Sequence, residues 1–405
     1  MNRPKLSPIK EMETRAVKLK GVVSLAQGIP SFNTPLCIKR KIAQAMEEGK
    51  TDFYSLSPGL LELREVIEHS LSREGIFYDF ENEIIITAGS IEAITASFLA
   101  ILEPDDEVLI PDPTYTSFQE AIKTAKGKPV FVPLNEENKW AFDIKKLKEK
   151  ITSKTKAILF CNPNNPTGTI YTKSQILEIL ELAEFHNLFV LADEVYRDFI
   201  FDNAEFMSIG KFGNFRKRFI LIFSFSKAYS MTGWRVAYLA TEKSLAKKIL
   251  AFHDAMVTCA PVASQWGALA AIEMAGEDKK NFLKKLYGRR KIICSHLDGM
   301  KKWLSYSKPN SAYFVFPRFS EKLCEYLKNL DVAEKYELDQ QRKKSLSWIF
   351  AMELLYKEKV AVVPGEAFGE KGENHIRLCF GRSEEDIEKA MERIAKYFEK
   401  ISDFA

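Results

Sequence analysis

A lysine stands inside the most apolar stretch of the chain, FILIFSFSKAYSMTGWRVAYLA, at position 227. Lysine is rarely buried, and a desolvated ammonium has a lowered pKa, which leaves a neutral amine able to attack a carbonyl. A lysine stem can also snorkel to solvent, so position alone does not make Lys227 a nucleophile. Asp193 ends the apolar run LFVLAD and opens Asp193-Glu194-Val195-Tyr196. A buried carboxylate without a partner is costly, so an acid there calls for a cation. Ala88-Gly89-Ser90-Ile91 is a glycine turn into a helix, a ready anion site. Ser224 precedes Lys227 and Arg235 follows it, while Asn162-Pro163-Asn164-Asn165-Pro166-Thr167-Gly168, taken alone, is loop punctuation. Together these groups describe one task. A lysine forms a Schiff base with an aldehyde, and a carboxylate keeps a pyridinium nitrogen protonated. A helix N-terminus, a serine and an arginine hold a phosphate. Those are the parts that a pyridoxal 5'-phosphate (PLP) site requires.

Such residues need a frame that brings them to one place. Apolar runs of strand length alternate with helical patterns from about residue 84 to 290. The pattern predicts strands over 84–87, 107–110, 129–134, 157–162, 188–192, 219–223 and 234–239, with helices over 90–102 and after the capping box Thr172-x-x-Gln175. Strands without alternation, separated by helices, imply a mostly parallel sheet covered on both faces. The chemical residues fall at the carboxyl ends of those strands, where open α/β sheets bind ligands. Beyond 290 the pattern changes to short strands at 313–316, 360–363 and 375–380 among long helices. The last helix opens at Ser383-x-x-Asp386 and buries Ile387, Met391, Ile394 and Phe398. The expected division is a large domain over 46–290, a smaller α+β domain over 291–405, and a segment 1–45 that contributes to the smaller one. The charge-dense stretch 318–345 reads as a solvated helical excursion.

Composition narrows the class. The chain has 405 residues, 46% apolar and 28% charged, which fits a globular protein and excludes disordered and fibrous classes. With 59 basic against 55 acidic residues, interleaved throughout, the net charge is +4, and no basic run points to nucleic acid. Six cysteines lie far apart with no Cys-x-x-Cys pair, so neither a zinc site nor a disulfide framework is expected, and a reducing cytoplasm fits. The start, MNRPKLSPIKEMETRAVKLKG, has no apolar core of a secretory signal. The stretch 219–240 carries Lys227 and Arg235, which a bilayer tolerates poorly, so it reads as buried core with two functional charges and no membrane partner is expected. His186 and the other four histidines show no partner pattern and read as structural or surface residues. No G-x-G-x-x-G follows a strand, which disfavours a dinucleotide binder.

NNPTG, DEVY and SFSKAYSMTGWR occur in the order found in one family, and from SLAQGIP at 24–30 to HIRL at 375–378 the chain resembles the class I/II aminotransferases. These are fold-type I PLP enzymes related to aspartate and aromatic amino-acid aminotransferases. The resemblance implies an α/β large domain with a mostly parallel seven-stranded sheet between helices (the PLP-transferase fold type I) and a smaller α+β domain. It implies a homodimer and ping-pong transfer of an amino group from an L-amino acid to a 2-oxo acid such as 2-oxoglutarate. Lys227 is then the PLP lysine and proton shuttle, and Asp193 the partner of the pyridine nitrogen. Tyr196 and Asn165 bond the ring's phenolic oxygen, and Tyr115 stacks on the ring. Ser224, Arg235 and the backbone around Gly89, Ser90 and Ile91 hold the phosphate, with Ser226 an open candidate. Tyr54 is similar to the tyrosine that reaches the neighbouring subunit's phosphate. Arg377, with Arg382 as the nearby alternative, grips the substrate α-carboxylate with help from Asn165, and the backbone at Gly28 closes over it.

Some bacterial aspartate enzymes of this branch carry a lysine where Ile91 stands, so its absence favours neutral or aromatic donors over a strict aspartate enzyme. Two rivals share the scaffold. A PLP-dependent carbon–sulfur β-lyase is the alternative activity. A transcription regulator with an added winged helix is disfavoured, because Gln27 already begins the family pattern and leaves no room before it.

Overall fold

The computed structural model describes residues 7–330, 332, 334–340 and 342–402; positions 331, 333 and 341 of the charged stretch and the ends of the two outer segments lie outside the described residues. After a short strand β1 (Val23–Ser24) come seven strands of one sheet: β2 (Ile84–Thr87), β3 (Glu107–Asp112), β4 (Lys128–Pro133), β5 (Thr155–Cys161), β6 (Phe189–Asp193), β7 (Phe219–Ser224) and β8 (Ala237–Thr241). Their order is β2-β8-β7-β6-β5-β3-β4. The pairs among β3 to β7 are parallel, and β8 runs antiparallel to both its neighbours. Runs such as Ile84-Ile85-Ile86-Thr87 and Phe219-Ile220-Leu221-Ile222-Phe223 are buried residue after residue, the signature of strands covered on both faces.

The remaining strands are short: β9 (Leu304–Ser305), β10 (Phe314–Val315), β11 (Arg318–Phe319), β12 (Val360–Ala361), β13 (Val363–Pro364) and β14 (Ile376–Cys379). Strand β14 lies between β10 and β13, antiparallel to both. Strand β1 pairs in parallel with β12, so the N-terminal segment joins the C-terminal elements. The chain then runs on as a strap: Leu25 N–H donates to Ala361 O, and Cys379 N–H donates to Leu25 O, at 2.8 and 2.9 Å. The last helix, Glu384–Ile401, is capped by Ser383 and buries Ile387, Met391, Ile394 and Phe398. The helix Lys173–Phe185 carries the expected capping box between Thr172 and Gln175.

Several expectations shift. The strand expected at 234–239 begins only at Ala237, because Thr232–Trp234 forms a 3-10 turn and Arg235 takes a left-handed conformation with φ of 53°. The strand expected at 360–363 breaks at Val362, since its halves pair with different partners, β1 and β14. The strand expected at 313–316 shrinks to β10, with Ala312 at φ of 56° just before it. Among the described residues, the charged stretch is helical only over Glu321–Lys328 and the 3-10 turn Arg342–Lys344. It is not fully solvated: Tyr336 is buried and its hydroxyl donates to Glu353 Oε1 at 2.6 Å.

Register explains why the chemical residues meet. Thr87 and Ser224 both pair with Ala237, and Cys161 pairs with Asp193. The ends of β2, β5, β6 and β7 and the start of the reversed β8 therefore share one edge. Ile220 is fully buried in this sheet. Ile220→Ala is expected to cost about 2–5 kcal/mol, through lost burial and the cavity left behind. Urea unfolding checks this, with a lowered midpoint at unchanged slope.

Candidate active site

At that edge a cavity of about 520 Å³ is lined by Gly28, Ser90, Ile91, Tyr115, Asn165, Asp193, Tyr196, Ser224, Lys227, Arg235 and Arg377, with Ser226 beside them. Every expected site residue is present except Gly89, which lies just behind Ser90, and Tyr54. Tyr54 is on the outer surface, 83% exposed, next to the equally bare Phe53. A second cavity, about 510 Å³, lies behind the Asn164–Gly168 turn against 307–310 and contains none of these residues.

Lys227 sits on the short helix Phe225–Ala228, whose N-cap Ser224 accepts from Ser226 N–H at 3.1 Å. Its ammonium donates to Gly28 O at 2.8 Å, and Tyr313 hydroxyl donates to the same carbonyl at 3.1 Å. Burial lowers the Lys227 pKa to about 8, and Arg377 and Arg235 push it the same way. Asp193 is buried at the end of β6, and burial raises its pKa to about 7 against the pull of Val195 N–H, which donates to Oδ1 at 3.2 Å. Burial shifts each group toward its neutral form, and each lacks an ion-pair partner within the described residues.

Arg377 comes from β14, only 1% exposed. Nη1 donates to Asn165 Oδ1 at 3.1 Å, Nη2 donates to Ala26 O, and Nε has no partner. The guanidinium lies over Phe314 at 4.5 Å and Phe368 at 5.1 Å, and no carboxylate of the described residues pairs with it. Burial depresses its pKa. A buried cation whose neighbours are carbonyl oxygens and rings is set to receive an anion. Arg382, the alternative, does not line the cavity and pairs with Asp386 at 3.4 Å. Asn165 Nδ2 lies 3.5 Å from the Tyr196 hydroxyl, and Tyr196 stands edge-on to Tyr313 and Phe314.

The opposite end suits a phosphate. Gly89 has φ of +98°, a conformation that strains any side chain, and a Cβ there would fall 2.3 Å from Arg235 Nη2, so glycine leaves the guanidinium room where it stands. The helix Ser90–Ile101 opens towards the cavity. Arg235 donates to Thr232 O at 3.1 Å and to Ala88 O at 3.5 Å. It is exposed, not buried as its apolar sequence context suggests, because it precedes the reversed β8 at the mouth of the cavity. Half-buried Tyr115 meets Phe118 edge-on and keeps its ring along the cavity. The whole therefore offers an amine, an acid, an aromatic wall at Tyr115, a helix N-terminus beside an arginine, and a buried guanidinium free of ion pairs among the described residues.

Sequence reasoning missed several lining residues. Ile9 and Lys10 come from the helix Pro8–Val17, whose Ser7 cap and buried Ile9, Met12 and Ala16 at helical spacing were the available signal. Gln27 and Ile29 flank Gly28 in the strap, and Cys161 ends β5. Three histidines have carboxylate partners that spacing could not reveal: His253 with Glu92, His296 with Glu388 and His375 with Glu136. Among the described residues no cluster of metal-ligand side chains occurs, and no helix is long and apolar enough to cross a membrane.

A family model, aminotransferase class I and II, matches residues 20–394. The chain is 35% identical to the aspartate aminotransferase of Pyrococcus abyssi over 96% of this chain and 95% of that one. It is 34% identical to aromatic-amino-acid aminotransferase 2 of Thermococcus litoralis, with the same coverage of 96% and 95%. Among solved structures, an aromatic aminotransferase from Pyrococcus horikoshii matches with a TM-score of 0.84 at 33% identity, over 96% of this chain and 99% of the other.

The lowered Lys227 pKa sets a pH window. The fraction of neutral, nucleophilic amine grows as pH rises through about 8, well short of the ordinary 10.5. The rate at which the coenzyme-free chain captures PLP, followed by absorbance, is expected to rise through pH 7 and level off above about 8. A rate that keeps climbing towards 10.5 would mean a solvated lysine.

Proposed function

The chain belongs to the class I and II aminotransferases, PLP-dependent enzymes of fold type I that move an amino group between an amino acid and a 2-oxo acid, and we propose that Lys227, Asp193 and Tyr196 are its catalytic residues. The observation that carries this reading is the meeting, in one cavity, of a buried amine, a buried acid and the unpaired Arg377 guanidinium. The residues fit the coenzyme: Gly89 leaves room for the Arg235 guanidinium at the cavity mouth, the Arg377 Nε is buried without a partner, and Asp193 lacks the ion-pair partner that its buried carboxylate calls for. PLP, when bound, supplies an aldehyde that takes up amines and a protonated ring that draws electrons from the substrate Cα.

The chain's own residues do the rest. Lys227 Nζ holds the coenzyme and, once released, accepts the Cα proton of the amino acid; a pKa near 8 leaves it partly neutral around pH 7. Asp193 would hold the proton of the ring nitrogen. Asn165 and Tyr196 would hold the phenolic oxygen, and Tyr115 would take the ring. Ser224, Arg235 and the amides after Gly89 would hold the phosphate, with Ser226 an open candidate beside them. Arg377 clamps the α-carboxylate in its fork while the strap at Gly28 covers it and limits water.

We further propose neutral or aromatic donors, with 2-oxoglutarate as an acceptor; Ile91 in the cavity wall and the aromatic relatives support this. Phe53, Tyr54 and Leu56, all more than two-thirds exposed, support a homodimer in which Tyr54 reaches the partner's phosphate. Six free thiols support a reducing, cytoplasmic setting. The domain division proposed is 46–290 as the coenzyme-binding body, with 1–45 and 291–405 forming the smaller part; the β1–β12 pairing supports it.

Purified protein is expected to show a visible absorption band that borohydride or Lys227→Ala abolishes, and a wild type that stays colourless after reconstitution counts against the reading. Arg377→Ala is expected to raise the KM of every amino-acid donor on the order of 10²-fold while PLP stays bound, because one charge-assisted clamp is lost. Steady-state kinetics at saturating PLP check this. PLP loss with an unchanged KM would reassign that arginine.

A further inference from the structure

Gly89, at φ of +98°, leaves the Ala88–Ser90 turn without side-chain stiffness of its own. Its carbonyl accepts from Glu92 N–H and Ala93 N–H at 3.1 and 3.2 Å, and the Ala88 side of the turn is held from behind. Glu92, in the first turn of the helix Ser90–Ile101, folds its carboxylate back so that Oε2 accepts from Ala88 N–H at 3.0 Å. Both carboxylate oxygens face Nδ1 of His253, at 3.1 and 3.2 Å. His253 is fully buried on the helix Lys243–Val257, and its Nε2 has no partner. The other polar group of Ala88, its carbonyl, accepts from Arg235 Nη2 at 3.5 Å. One peptide residue thus ties His253 and Glu92 on one side to the arginine of the anion cradle on the other.

A carboxylate so close to a phosphate site does nothing for the anion directly, since like charges repel. Its orientation gives it a different task. With Ala88 N–H engaged, the turn cannot rotate, and the amides that follow keep their aim. His253 Nδ1–H, assigned as the donor because an ionised carboxylate only accepts, fixes the rotamer of Glu92 in turn.

We propose that Glu92 and His253 are positioning residues for the phosphate cradle. The proposal rests on the reading that Gly89, Ser90 and Arg235 hold the coenzyme phosphate. Coenzyme-free chain is titrated with PLP and, separately, with pyridoxal, which lacks the phosphate. Glu92→Ala is expected to weaken PLP about tenfold, as expected for a lost charged hydrogen bond, while pyridoxal affinity and the melting temperature of the coenzyme-free chain stay near wild type. Glu92→Gln keeps an acceptor for Ala88 N–H and is expected to recover most of the loss. His253→Gln is expected to shift or broaden the phosphorus-31 resonance of bound PLP, a readout that stands even where Glu92→Ala does not fold. Equal losses of PLP and pyridoxal in Glu92→Ala, or PLP affinity within about twofold of wild type together with an unmoved resonance in His253→Gln, overturn the brace. A wild type that binds PLP no better than pyridoxal overturns the phosphate reading itself, and the brace with it.

Discussion

Three titratable groups beside one sheet edge are kept from water without an ion-pair partner among the described residues: the Lys227 amine, the Asp193 carboxyl and the Arg377 guanidinium. Desolvation is the dominant influence on each, lowering the two cations and raising the acid. A chain selected for stability alone would fill such positions with apolar side chains, since an uncompensated buried charge is destabilising. Under the proposed function the cost has a use: the coenzyme would bring an aldehyde for the amine and a ring cation for the acid, and the substrate would bring a carboxylate for the guanidinium.

Holding unpaired charges in place requires a frame that does not relax around them. The parallel strands supply it, because β5, β6 and β7 are apolar on both faces and cannot rearrange without exposing core. Arg377 is fixed differently. Its hydrogen bonds to Asn165 and Ala26 tie β14, the turn after β5 and the N-terminal strap together at one guanidinium. Three distant parts of the chain therefore meet at the group that would read the substrate.

What the chain reveals to a reader follows from how local the cause is. Lys227 and Asp193 stand out because a charge inside or at the end of an apolar run is a local anomaly, and the strand Ile84–Thr87 is legible because its β-branched run is local too. The late start of β8 was hidden, since it depends on Arg235 adopting a left-handed backbone. The break at Val362 was hidden because it reflects a change of pairing partner. Nothing local marks Tyr336 as buried, since its anchor, Glu353, lies on another helix. Glu92 and His253 are 161 residues apart, beyond any periodicity. Ile9 and Lys10 reach the cavity only because the first helix docks there. For Arg377, resemblance pointed where pattern could not: a single arginine in a four-residue strand carries no signal of its own.

The reversal of β8 has a mechanical consequence. Because β8 runs antiparallel to β7, the link 225–236 leaves and re-enters the sheet at the same edge, without the long crossover that a parallel neighbour would need. Lys227 and Arg235 are thereby mounted on one compact loop that starts directly after Ser224, the last residue of β7. Arg377 rides on β14, in a different sheet. Any rotation of that outer sheet relative to the sheet of β7 and β8 would move Arg377 while the spacing between Lys227 and Arg235 stayed constant. If these residues act as proposed, opening to exchange one small molecule for another need not loosen the hold on the prosthetic group.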